Sequence, residues 1–191
     1  MKNDQGQILL SIARSAIANS LHIPYATSDE TAPWLIELGA SFVTLTRYGK
    51  LRGCIGSIHA YRPLLIDVKT NAVSAALFDP RFPPLRLKDF ETVQVEVSLL
   101  TKPELITFTN ESTALSQLRP GTDGVVFEYG RHRSTFLPQV WGSLPQPDLF
   151  LTMLKRKAGL PDTFWAADVK LFRYTVTKWH ETDLDEESCY G

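Results

Sequence analysis

The stretch Leu51-Arg52-Gly53-Cys54-Ile55-Gly56-Ser57 places one cysteine between two glycines and two residues after an arginine. If the stretch is extended, its side chains alternate, so Arg52 and Cys54 are predicted to share one face. A guanidinium beside a thiol stabilises the thiolate, which is the nucleophilic form of cysteine. Gly53 and Gly56 lack a Cβ and leave room near the sulfur for a ligand or a second strand. The stretch therefore predicts a strand that carries a candidate site at Cys54.

A structural interpretation of the same residues stands beside the functional one. A free cysteine is commonly buried and behaves as a small hydrophobic side chain. Glycines within a strand commonly mark a bulge or a close approach of two elements. The stretch alone leaves both interpretations open.

The residues on either side of the cysteine predict strands. Tyr48-Gly49 separates two strand-like segments, 41–46 and 50–58, and indicates a hairpin with Cys54 on its second strand. The segment 93–99 alternates apolar and polar residues without interruption, which is typical of a strand with one buried and one polar face.

Helical periodicity elsewhere completes a predicted α+β fold, in which helices flank largely antiparallel sheets. Apolar residues recur at three- and four-residue steps in the helical segments, and turn residues separate the strands. Gly159 is suited to end the last helix, and Trp141 is interpreted as a core residue. The predicted helices span 8–21, 61–76, 112–118 and 147–157, and the further strands span 124–128, 133–137 and, as a single strand, 170–179.

Five blocks of the chain resemble the AMMECR domain family, in that family's order, and the resemblance covers nearly the whole chain. It implies a single α+β domain over residues 1–191, with a larger lobe that contains both termini and a smaller lobe, predicted within about 100–140. It also implies a bacterial or archaeal setting like that of the AmmeMemoRadiSam system protein A, beside a Memo-like protein and a radical SAM protein, but no established reaction. The blocks are Leu51 to Gly56, Phe78-Asp79-Pro80-Arg81-Phe82-Pro83-Pro84, Val93 to Leu99, Phe136-Leu137-Pro138-Gln139-Val140-Trp141 and Lys155-Arg156-Lys157-Ala158-Gly159-Leu160.

Composition limits the classes of function. The chain has 191 residues, of which 43% are hydrophobic, and this suits one domain or two intimate lobes with a sizeable core. Its formal net charge of −1 gives no global attraction to nucleic acid or to an anionic membrane. No apolar run approaches the roughly 20 residues that span a bilayer, so we expect a cytoplasmic protein. Cys54 and Cys189 lack zinc-ribbon spacing and are interpreted as separate free thiols.

Four residues are candidates for catalysis: Cys54, Arg52, Glu96 and His59. Glu96 lies on the polar face of the segment 93–99, where it would bind substrate or orient a base if that strand lies beside the strand of Cys54. The alternative is a carboxylate that merely faces solvent. His59 follows Cys54 by five residues and is a candidate base, with local hydrogen bonding as the alternative.

A second set of residues is a candidate for binding a ligand. The amides of the two glycines are placed to bind an oxyanion, and prolines fix a polar rim in the segment 79–84. A basic hairpin tip at 131–133 is suited to grip a phosphate or carboxylate, although such tips usually carry solvated charges. The candidate ligand-binding residues are Gly53, Gly56, Asp79, Arg81, Arg131 and Arg133. No phosphate-binding glycine loop, dinucleotide fingerprint or zinc-binding helix motif occurs, so neither cofactor nor metal is expected.

Three functions remain open from the sequence. The first, which we favour, is a cysteine-dependent enzyme that uses Cys54 as nucleophile or thiol carrier and acts with the Memo-like and radical SAM partners on a macromolecule or metabolite. The second is a non-catalytic binding module whose glycine-rich groove accepts a peptide or partner protein. The third is nucleic-acid binding through Arg131 and Arg133, which the near-neutral charge disfavours. Open hairpin edges also allow a homodimer.

Overall fold

The computed structural model describes residues 2–26 and 29–182, which form two compact units. The first unit contains the residues up to Leu100 and those from Thr177 onward, and the second runs from Thr101 to Val176. Each unit combines helices with a largely antiparallel sheet, so the α+β fold predicted from the sequence is confirmed. No helix in the described ranges is both long enough and apolar enough to cross a membrane.

The main helices and strands overlap the predicted segments, but the first helix starts at Lys2 rather than at residue 8, and residues 62 and 63, predicted within the second helix, form a short strand. Their bounds, in chain order, are α1 (Lys2–Ser20), β1 (Leu38–Arg47), β2 (Lys50–Gly56), β3 (Arg62–Pro63), α2 (Leu64–Leu77), β4 (Val93–Leu100), β5 (Glu104–Leu105), α3 (Glu111–Leu115), β6 (Gly124–Tyr129), β7 (His132–Phe136), α4 (Pro147–Lys157), β8 (Lys170–Tyr174) and β9 (Val176–His180).

In the first unit, two helices cover one face of the sheet. Within the described residues the strand order is β2-β1-β4-β9, and the two-residue strand β3 also pairs with β1. Alternation sends Val43 and Leu45 of β1, and Val95 and Val97 of β4, into a core that they share with α1 and α2. The intervening polar residues, among them Thr44, therefore lie on the face away from that core.

Helix α2 packs unusually close to β2. A Cβ built on Gly53 would lie 2.1 Å from the carbonyl oxygen of Ala75, and one on Gly56 would lie 2.2 Å from the ring of Phe42. Real Cβ atoms do not approach other atoms so closely, so both positions require glycine. Protein atoms, rather than a ligand cavity, fill the space beside the two glycines.

A buried carboxylate ties the end of β2 to α2 and β1. Asp67 is fully buried and accepts hydrogen bonds from Ser41, Ser57, Arg62 and Asn71, at distances between 2.6 and 2.9 Å. A charge removed from water is tolerated only when such partners replace its hydration. The network therefore fixes the residue that follows the glycine-flanked cysteine strand.

The second unit has its own sheet and core. Its strand order within the described residues is β5-β8-β6-β7. The ring of Trp141 stacks on that of Phe150, with centroids 3.7 Å apart and planes 6° apart, and its Nε1 donates to the carbonyl oxygen of Asp123 at 2.7 Å. The interpretation of Trp141 as a core residue is confirmed.

One predicted strand is wrong. The segment 170–179 forms two strands, β8 and β9, which belong to different sheets. The break falls at Thr175, whose N–H donates to Oγ1 of Thr101 and whose carbonyl oxygen accepts from the N–H of Thr101, both at 2.9 Å. Alternating apolar residues continue through this break, so the pattern alone does not reveal it.

We predict that Gly53→Ala lowers the free energy of unfolding by about 2 kcal/mol or more, because the new methyl group must displace the backbone of α2. Urea titration followed by circular dichroism measures the change. Gly142→Ala is the matched control, since a Cβ there meets nothing within 4 Å, and should change stability by less than about 0.5 kcal/mol. Equal stability of the two variants would contradict the close packing of β2 on α2.

Candidate functional site

Cys54 lies on β2 directly opposite Thr44 of β1. Because the N–H and carbonyl groups of Cys54 bond away from β1, this is a pair without mutual backbone hydrogen bonds, the type in which side chains come closest. The hydroxyl of Thr44 donates to the sulfur of Cys54 at 3.2 Å. The thiol is partly buried, on the sheet face away from the helices.

Asp79 and Arg81 occupy the open edge of β2 at the cysteine. The N–H of Cys54 donates to Oδ2 of Asp79 at 2.8 Å, and Nη2 of Arg81 donates to the carbonyl oxygen of Cys54 at 3.1 Å. The two side chains thus satisfy the backbone groups that a further strand would otherwise pair with. The polar rim predicted for these two residues meets the cysteine itself.

The Asp79–Arg81 pair is held together by a two-pronged contact. Nε and Nη2 of Arg81 donate to the two oxygens of Asp79, at 3.0 and 2.7 Å. This hydrogen bonding holds the pKa of Asp79 well below its ordinary value; burial opposes the shift, and the N–H groups of Cys54 and Arg81 add to it. The same contact raises the pKa of Arg81, with Cys54 among the smaller contributors.

The loop that carries this pair starts at the end of α2 and returns to it. The N–H of Phe78 donates to the carbonyl oxygen of Ser74 at 2.9 Å, and the N–H of Leu85 donates to that of Ala76 at 2.8 Å. Leu85 is buried in the core of the first unit. Helix α2 therefore positions both the strand, through Gly53, and the carboxylate that meets it.

Arg52 does not approach Cys54 in the predicted way. The register of the hairpin shifts between Leu45 and Thr46, and Arg52 is left without an opposite residue. Simple alternation along β2 does not hold across such a bulge. The Nη2 of Arg52 donates to the carbonyl oxygen of Pro83 at 2.6 Å, and the guanidinium that contacts Cys54, at its backbone carbonyl oxygen, is that of Arg81.

Glu96 lies on the same sheet face as Cys54 but not on the neighbouring strand. Strand β1 intervenes, and Glu96 is opposite Thr44 on its far side, so two strand spacings of roughly 5 Å each separate the backbones. The carboxylate accepts from Ser98 at 3.2 Å and pairs with Lys178 and His180 of β9, at 3.3 and 3.1 Å. The structure does not show it in contact with the thiol.

The other predicted residues of the first unit are placed as follows. His59 lies in an exposed bend after β2. The N–H of Cys54 faces the sheet edge, and successive N–H groups of a strand alternate, so the amide of Gly53 faces β1 and that of Gly56 faces the edge. The Gly53 amide is therefore directed into the hydrogen-bond ladder between β1 and β2. Of the two glycine amides, that of Gly56 is the candidate for binding an oxyanion.

Arg131 and Arg133 belong to the second unit, at the β6–β7 hairpin. Gly130 supports that turn with a φ of 54°. Nε of Arg133 pairs with Glu128 on the opposite strand at 2.8 Å, and Arg131 is exposed. Both side chains are exposed, which fits the alternative of solvated charges at a hairpin tip.

Sequence reasoning missed Thr44, which contacts the sulfur. Counting back from the turn at Tyr48-Gly49 pairs Thr44 with Gly53, but the bulge moves the pairing by one residue to Cys54. Cys189 lies outside the described residues. Within the described ranges, no group of three or more His, Cys, Asp or Glu side chains is arranged to hold a metal ion.

We predict that Asp79→Asn lowers stability at pH 7 and that the loss shrinks in acid. Because the pKa of Asp79 is lowered in the folded protein, its ionised carboxylate stabilises the fold at pH values above about 3.9, the ordinary pKa of an aspartate. This stabilisation is lost as the pH falls toward the pKa that Asp79 has in the folded protein. The difference in unfolding free energy between wild type and variant should narrow by at least roughly 1 kcal/mol from pH 6 to pH 3. Urea titrations at each pH measure it, and the exposed substitution Glu91→Gln controls for the change in net charge. A difference independent of pH would contradict the assignment.

The sequence and the fold have counterparts in known proteins. The family model described as AMMECR1 matches residues 10–179. A protein of Methanothermobacter thermautotrophicus is 36% identical over 191 residues, covering 95% of this chain and 96% of that protein, and one of Methanocaldococcus jannaschii is 35% identical, covering 94% and 92%. The crystal structure of an uncharacterized protein from Pyrococcus horikoshii is similar with a TM-score of 0.75 and 35% identity, covering 93% of this chain and 92% of that one. The resemblance drawn from the sequence is thereby confirmed, and the chain belongs to the AMMECR1 family.

Proposed function

We propose that the protein is a cysteine-dependent enzyme in which Cys54 serves as nucleophile or thiol carrier. The observation that carries the proposal is the setting of Cys54: its sulfur accepts a hydrogen bond from Thr44, and its carbonyl oxygen accepts one from Arg81, whose guanidinium is held by Asp79. A donor hydroxyl and a neighbouring cation both favour negative charge on sulfur. A thiol kept only for packing needs neither of them.

The proposed chemistry uses the thiolate form of Cys54, whose side chain is partly exposed. Its lone pair attacks an electrophilic carbon, an S–C bond forms, and the leaving group departs with its bonding electrons. The thiol proton passes beforehand to a base, for which Glu96 and His59 stay the predicted candidates. The amide of Gly56, on the edge of the sheet, is the remaining glycine donor for a developing oxyanion.

The partners and setting come from the family resemblance. We propose that the chain works as one domain over residues 1–191, in the cytoplasm, with a Memo-like and a radical SAM protein, to modify a macromolecule or metabolite. A homodimer remains compatible with this proposal. The capped edge at Cys54 argues against pairing through that part of β2.

The first test is the rate at which iodoacetamide alkylates Cys54 at pH 7, in a Cys189→Ser background so that the second cysteine does not react. We expect the rate to exceed that of N-acetylcysteinamide. Thr44→Val should slow it by about threefold to tenfold, because one hydrogen bond to the sulfur is lost. Liquid chromatography with mass detection measures the labelled fraction over time.

Thr46→Val is the matched control, since it changes the same residue type two positions along β1 without touching the sulfur. It should leave the rate unchanged. Labelling that proceeds only after denaturant is added would show a structural thiol and overturn the enzyme proposal. The binding module would then be the better account, and Cys54→Ala would be expected to leave partner binding intact.

A further inference from the structure

We propose that the site takes substrates with an anionic group, a carboxylate or phosphate, which Nη1 of Arg81 binds beside the Cys54 thiol. The inference rests on the proposed function and names the substrate class of the same site. The inference is supported by the hydrogen-bond donors on Nη1 of Arg81, which have no oxygen or nitrogen acceptor in the described residues, and by the positive charge of the surrounding side chains.

Arg81 uses only part of its hydrogen-bonding capacity within the protein. A guanidinium has five N–H donors. Nε donates to Asp79, and Nη2 donates to Asp79 and to the carbonyl oxygen of Cys54, so the two donors on Nη1 remain. In the described part of the chain Nη1 has no oxygen or nitrogen acceptor, and the side chain is 53% exposed.

The bound donors also fix the guanidinium in place. Asp79 is nearly fully buried, and its contact with Arg81 is two-pronged, so the plane of the guanidinium cannot turn freely. A cation held in this way loses little conformational entropy when an anion arrives. Nη1 then presents its donors to a ligand at Cys54, whose carbonyl oxygen the same guanidinium contacts.

A second arginine makes the local charge positive. The guanidinium carbons of Arg52 and Arg81 lie 5.9 and 5.5 Å from the centroid of the Phe82 ring. Of the carboxylates in the described residues, that of Asp79 alone contacts one of these two guanidinium groups. The two arginines therefore keep one positive charge that no carboxylate balances. In addition, Nη1 of Arg52 is buried and has no acceptor within the described ranges. An anion on this surface would balance the charge, and guanidinium groups match carboxylate and phosphate geometry.

The second unit contains a matched arrangement without a thiol. Arg119 is 54% exposed, and its Nε and Nη2 donate to the fully buried carboxylate of Asp123, at 2.9 and 2.6 Å. Arg119→Gln therefore removes the same charge and leaves a buried aspartate without its guanidinium, as Arg81→Gln does. It is the control for net charge and for loss of stability.

The test compares alkylation of Cys54 by iodoacetate, which is anionic, and by iodoacetamide, which is neutral and of similar size. The protein carries Cys189→Ser, and rates are divided by those of N-acetylcysteinamide in the same buffer. We expect the ratio of iodoacetate to iodoacetamide rates to be about tenfold higher than for the free thiol, as a charge-assisted contact implies. Arg81→Gln should return the ratio to that of the free thiol, and Arg119→Gln should leave it raised.

A competition experiment needs no substitution at Arg81. Inorganic phosphate should slow labelling by iodoacetate with a saturating dependence, and potassium chloride at the same ionic strength should not. If Arg81→Gln does not fold, as judged by circular dichroism, this competition decides the question.

The possible failures are distinguishable. A Cys54 that reacts readily with both reagents, with the ratio of a free thiol and no protection by phosphate, overturns the anionic substrate and leaves the proposed function standing. A Cys54 that reacts with neither reagent in the folded protein overturns the proposed function and this inference with it.

Discussion

The carboxylate of Asp79 is the contact on which the candidate site depends. Asp79 accepts hydrogen bonds from the N–H of Cys54 and from the guanidinium of Arg81, and it is almost fully buried. A carboxylate removed from water must find such partners, because an unpaired buried charge is strongly destabilising. Because this carboxylate needs hydrogen-bond donors, a strand edge, a loop and a cation meet at the backbone of Cys54.

Helix α2 makes this contact geometrically possible. The absent Cβ of Gly53 lets β2 lie against the carbonyl oxygen of Ala75, and Asp79 follows just after the helix ends at Leu77. One helix thus sets two distances: that of the strand from the helix, and that of the carboxylate from the strand. Asp67, on the same helix, fixes the end of β2 as well. Packing and polar contacts here support one arrangement.

The site could be predicted only in part, and the β2 bulge explains much of the shortfall. Alternation along a strand assumes a regular ladder, and it predicted Arg52 beside Cys54. One unpaired residue at position 52 shifts the register, which places Thr44 opposite the cysteine. Likewise, the polar face of β4 was recognised, but the strand order that puts β1 between Cys54 and Glu96 is a long-range property.

The sequence by itself determined the α+β class, the positions of the main helices and strands, and the family, and it named Cys54, Asp79 and Arg81 as candidate site residues. These follow from periodicity, turn residues and motifs, which are properties of short segments and do not depend on which segments are neighbours in space. Only the tertiary structure decided which cation contacts the cysteine, what fills the space beside the glycines, and where the segment 170–179 divides between two sheets. Each of those depends on distances through space between residues far apart in the chain, and hydrophobic patterning does not encode them.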